Sequence, residues 1–104
     1  MSSHSLAETF ARDRRLVILR LLSEQDGYAL SANMLTKAVR QMRHSVYDDT
    51  IAADLVMLEQ HGLIQRDEER HGAKTIVVAT LTRLGLDVAN GRPHPIVDQP
   101  SPKF

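Results

Sequence analysis

The chain has 104 residues, 13 Lys plus Arg against 13 Asp plus Glu, and no cysteine. That length suits one compact domain and is too short for two, and 42% hydrophobic with 25% charged residues allows an ordinary core. The missing cysteine excludes disulfides, thiol catalysis, Fe–S clusters and Cys-based zinc sites, while zero net charge removes any overall attraction to nucleic acid. Residues 1–5 are small and polar and read as a frayed, disordered N-terminus. Leu6 to Leu22 predicts a helix, with Leu6, Phe10, Val17 and Leu21 on one stripe that Ile18 and Leu22 widen. Ser5 followed by Glu8 predicts a capping box, and Gln25-Asp26-Gly27 a stop with Gly27 at positive φ. Ser31 caps a second helix to Met42, with Leu35, Ala38, Val39 and Met42 as its apolar face. Residues 43–47 make a turn.

A third helix covers about Asp48 to His61. Ile51, Leu55 and Leu58 repeat at helical spacing, Asp48 and Asp49 complement the dipole in the first turn, and Gly62 closes it. Residues 63–67 then read as a short strand, 68–73 as a polar turn and 74–81 as the β-branched returning strand of a hairpin. Thr82 to Asn90 is a short last helix held by Leu84, Val88 and Ala89. Residues 92–104 carry all four prolines and read as an extended tail, with Ile96, Val97 and Phe104 as apolar handles for the domain's own core or for a partner.

Three helices followed by a two-stranded hairpin is the order of a winged helix-turn-helix, an α+β fold spanning residues 6–91 with the hairpin as wing. The segment Asp54-Leu55-Val56-Met57-Leu58-Glu59-Gln60-His61-Gly62-Leu63-Ile64 resembles the D-L-x-x-L-E-x-x-G-L-I ending of the third helix in winged-helix regulators of the ArsR and MarR kind. Residues 13–22 (Asp13-Arg14-Arg15-Leu16-Val17-Ile18-Leu19-Arg20-Leu21-Leu22) and 79–92, followed by Pro100-Ser101-Pro102, are similar to a family of small winged-helix proteins of Mu-like bacteriophages and prophages. The resemblance implies a phage-derived bacterial cytoplasmic protein. It brings no activity with it.

In a helix-turn-helix protein the third helix offers its outer face to base edges. Here that face is Asp49, Ala53, Val56, Met57 and Gln60, flanked by Thr50 and Asp54. Base readout would rest on Gln60 and Thr50, with Ala53 or Met57 against a thymine methyl. From Asp48 to His61 there are four acids and no Lys or Arg, the wrong sign for phosphate. Phosphate contacts would come from Lys37, Arg40 and Arg43 on the second helix, with His44 adjoining, and from Arg70 and Lys74 on the wing beside His71. Two functional classes follow: a DNA-binding transcriptional regulator, and a protein-interaction module using Ala53, Val56 and Met57.

Leu16 and Leu19 point away from the chosen stripe of the first helix and predict a homodimer seam. The histidines, His4, His44, His61, His71 and His94, have no pair at helical ligand spacing, and neither a metal nor another cofactor is expected. No Gly-rich phosphate loop, Gly-x-Ser-x-Gly or cysteine nucleophile is present, so no enzyme is expected. The longest apolar runs are four residues, as at Leu16–Leu19, too short to span a bilayer, and Met1–Phe10 has no signal-peptide pattern.

Overall fold

The structure, a computed structural model, describes residues 5–42 and 45–100. Over these residues the chain forms a mixed α+β domain of four α-helices and a three-stranded antiparallel sheet. The order is α1 (Leu6–Ser23), a 3-10 turn (Asp26–Tyr28), β1 (Ala29–Ser31), α2 (Ala32–Gln41), α3 (Asp48–Gln60), β2 (Ile64–His71), β3 (Lys74–Leu81) and α4 (Arg83–Ala89).

Local signals explain most boundaries. The Ser5 hydroxyl accepts from Glu8 N at 3.1 Å, and the Ser31 hydroxyl accepts from Met34 N at 3.2 Å, so each serine satisfies an orphan donor of its helix. α1 ends at Ser23 with Glu24 as its right-handed cap, ahead of the expected stop, and Gly27 takes φ 74° inside the 3-10 turn that follows, where a Cβ would be strained. Between it and α2 lies β1, which sequence reading missed because three residues carry no measurable alternation.

The sheet order is β1-β3-β2. The polar stretch expected as a six-residue turn is strand almost throughout: Glu68 faces Val77, Glu69 faces Ile76 and Arg70 faces Thr75, leaving Gly72 and Ala73 to turn the chain. Gly72 takes φ 66° there. Charged residues are tolerated because this end of the hairpin projects beyond the core, and the β-branched run of β3 supplies a ladder partner for each.

The core joins Leu16, Ile18, Leu19 and Leu22 of α1 to Leu35, Val39, Ile51, Leu55 and Leu58 of α2 and α3, with Leu63, Ile64, Ala79, Leu81, Val88 and Val97 closing it. On α1 this corrects the sequence reading. Leu6 and Phe10 are 69% and 57% exposed, whereas Leu19 is fully buried. The helix carries apolar residues on two nearly opposite faces, and periodicity alone cannot say which one meets the core. Met42, expected inside, is exposed.

Residues 92–100 also depart from a freely extended tail. Val97 is in the core, Asp98 N donates to Arg12 O at 3.1 Å, and His94 bridges Val97 across a tight reversal. Ile96 and Val97 therefore dock on the domain itself, while Phe104 lies outside the described residues.

Candidate interaction surface

On α3 the positions Asp49, Ala52, Ala53, Val56 and Gln60 are exposed, and Thr50 and Met57 are half-buried at the edges of that face. Tyr47, just before the helix, is 76% exposed and offers no side-chain cap. Asp54, expected at the margin of the reading face, is instead 3% exposed and belongs to the interior. It lies three residues after Ile51 and four before Leu58, on the helix's own apolar stripe.

The buried carboxylate is held from α1. Arg14 grips it with two donors, Nε to Oδ2 and Nη2 to Oδ1 (2.9 Å), while Arg15 Nε donates to Oδ1 at 3.3 Å. The bidentate hydrogen bonds from Arg14 to Asp54 hold the guanidinium above its ordinary pKa, against the opposing cost of burial. The same arginine row anchors the C-terminal segment: Arg15 Nη1 donates to Ile96 O at 3.0 Å and Arg12 Nη2 to Val97 O at 3.3 Å. Spacing in a single helix cannot reveal this site, because its partners lie about forty and eighty residues away along the chain.

With Asp54 internal and Glu59 paired to Arg66 at 3.1 Å, Asp48 and Asp49 are the acids left on the open surface of α3. No Lys or Arg occurs on that helix. The cations expected to touch phosphate stand around it. Lys37 and Arg40 are exposed on α2, and Arg40 commits its Nε to Val46 O at 2.9 Å, tying down the chain ahead of α3. Arg70 and Lys74 are exposed at the hairpin end, on either side of its turn, with Asp67, Glu68 and Glu69 close by in sequence and His71 3.4 Å from Glu69. Arg43 and His44 lie outside the described residues. The result is scattered cations interleaved with carboxylates, with no basic residue at the centre of the face.

The proposed seam at Leu16 and Leu19 is also corrected, since both side chains are spent on the core. The outward apolar residues of α1 are Leu6 and Phe10, while Val17 and Leu21 farther along are half-buried and packed against the core with part of their surface still open. Val17, Leu21 and Met42 line a shallow cleft of about 280 Å³.

Among the described residues no group of three His, Asp or Glu side chains is placed to hold a metal ion, and no helix is long and apolar enough to cross a membrane. No family model matches the chain. A protein of Haemophilus influenzae, described as an uncharacterized protein, is 30% identical over 82 residues, covering 79% of this chain and 76% of the relative. That match extends over most of both chains, and the protein belongs to the same family as this Haemophilus influenzae protein.

Proposed function

We propose that the domain is a winged helix whose third helix engages another protein. The element order α1-β1-α2-α3-β2-β3 and the sheet order β1-β3-β2 support the fold reading, with α2 and α3 as the helix-turn-helix and the β2–β3 hairpin as the wing. The observation that carries the functional reading is the exposed face of α3: small and apolar at Ala52, Ala53 and Val56, acidic at Asp48 and Asp49, and without a single cation. Such a surface repels phosphate and suits a partner that is apolar at the centre of contact and basic at one rim. It is a binding module with no catalytic step.

The second reading, a DNA-binding regulator, is favoured by one observation: Lys37, Arg40, Arg70 and Lys74 all stay exposed around α3. Anisotropy titration with random duplex DNA at several low salt concentrations separates the two. Four phosphate contacts would give a log–log salt slope of about −3.6. Such binding, abolished by Lys37→Ala with Lys74→Ala, would replace the protein reading. No binding at the lowest salt, together with a partner recovered by the wild type and lost on Val56→Arg, is the result expected here.

The homodimer expected from the sequence is best served by the outer stripe of α1. The stripe is self-complementary about the Asp13–Arg14 peptide: in an antiparallel pair Leu6 meets Leu21 and Phe10 meets Val17 of the other copy.

A further inference from the structure

β3 has eight residues, and every one faces a partner on β2. On its other edge only Val78–Thr80 are covered, by β1. β1 stops there because Ser31 leaves the strand to cap α2. Among the described residues, 74–77 therefore present a sheet edge with no strand beside it. Successive residues of an antiparallel strand aim their N–H and C=O groups at alternate edges. Thr82 N donates to Leu63 O on the β2 side at 3.1 Å, so the even-numbered positions face β2 and the backbone of Thr75 faces the open edge. Beside this edge runs a groove of about 430 Å³, walled by Ala32, Asn33 and Thr36 of α2 and by Asp48 at the start of α3, with Lys74–Val77 as its near side.

We infer that this groove accepts an extended peptide segment of another protein, which adds as a strand alongside Lys74–Val77. The recognition chemistry is the alternating backbone donor and acceptor at Thr75, the apolar surface of Val77 and Ala32 for a small β-branched side chain, and two opposite charges, Lys74 and Asp48. A DNA backbone offers acceptors alone and would meet both the carbonyls of the edge and the Asp48 carboxylate. A hairpin of a second copy would have to pass Ala32, Asn33 and Thr36 of α2 and Asp48 of α3, which wall the far side. The ligand class is thus an extended peptide, apolar at its centre, with an acid near Lys74 and a base near Asp48. The site shares Asp48 with the α3 surface, but its strand edge and its other walls belong to β3 and α2, so the backbone pairing does not depend on what α3 binds.

The test uses the full chain and two acetylated, amidated hexapeptides, Glu-Thr-Val-Thr-Val-Lys and its charge-swapped order Lys-Thr-Val-Thr-Val-Glu, titrated by amide NMR. One order is expected to shift the Thr75 and Val77 amides in preference to the other. Thr75→Pro removes an N–H from the open edge while leaving the β2 ladder intact, and it should weaken binding by about tenfold or more. Thr75→Val keeps the N–H and should bind as the wild type does. Failure of both peptides to move these amides at millimolar concentration overturns the inference. So does equal binding by Thr75→Pro with an unchanged far-UV spectrum, or a short DNA duplex shifting the same amides in place of the peptides.

Discussion

Replacing Asp54 by Ala should cost this domain a large part of its stability. The side chains of Asp54, Arg14 and Arg15 are only 4%, 16% and 12% exposed. Removing the carboxylate takes the acceptor from three hydrogen bonds and leaves two guanidiniums in the interior without the charge that offsets their desolvation. Loss of one partner of a buried ion pair costs about 3–5 kcal/mol, against a total of about 5–15 kcal/mol for a small domain. Helix propensity pulls the other way, favouring Ala over Asp by up to about 0.7 kcal/mol, so any loss must come from the ion pair. At roughly 4–8 °C per kcal/mol, the melting temperature should fall by roughly 12–40 °C. Urea unfolding followed by far-UV circular dichroism gives the number. Asp54→Asn, which keeps the shape and one acceptor oxygen, should fall between the two. Arg14→Met with Asp54→Leu should recover only part of the loss, because the apolar pair needs no compensation while Arg15 stays buried without its carboxylate. A loss below about 1 kcal/mol for Asp54→Ala would refute the reasoning, showing that the arginines are hydrated well enough to stand alone.

Gly85→Ala should destabilise by about 3 kcal/mol although Ala is the better helix former, because a Cβ there would lie 2.0 Å from Leu63 O and 2.7 Å from Leu81 Cδ1. A thermal melt equal to or above wild type would show that α4 can slide off the strand below it. His94 has its pKa lowered by burial first, then by His61 and Arg92, and its Nδ1 accepts from Ile96 N at 3.3 Å. The folded state therefore favours the neutral ring. Stability should be full above the unfolded value near 6.5 and fall as pH drops from there through the lowered folded value. Melting temperatures between pH 5 and 8 should show this slope, and His94→Gln should flatten it. Phe10→Glu should convert a dimer of this 11.7 kDa chain into a folded monomer in sedimentation velocity, whereas Leu19→Glu should unfold it. A wild type that is monomeric at high concentration would end the proposal for the α1 stripe.

Helix existence and capping were legible because their causes are local: Ser5 and Ser31 each act on a backbone N–H three residues on, and Ile51, Leu55 and Leu58 mark one face of α3 without help from elsewhere. The inward face of α1 was not legible, since Leu6, Phe10, Val17 and Leu21 compete with Ile18, Leu19 and Leu22, and tertiary packing decides between them. The hairpin length was underestimated for a similar reason. Glu68, Glu69 and Arg70 have little strand preference, and only their register against Val77, Ile76 and Thr75 makes them strand. Within the candidate surface, Ala53 and Gln60 were placed outward by spacing alone, whereas Asp54 was assigned to the margin despite lying on the apolar stripe. Its arginine partners come from another helix, and nothing in the pattern around it announces them.

The contacts of Arg12 and Arg15 with Val97 and Ile96 span 85 and 81 residues of a 104-residue chain. Contacts of such long sequence separation slow folding, because their loop entropy is lost before the contact is gained. During synthesis α1 is made about eighty residues before the carbonyls that satisfy its arginines. Until then the first helix has a charged seam and an empty Val97 socket open to solvent. Completion of the core should therefore be the late step of refolding, after β2 and β3 have paired, and shortening the chain to residue 91 should leave a collapsed species lacking fixed side-chain packing.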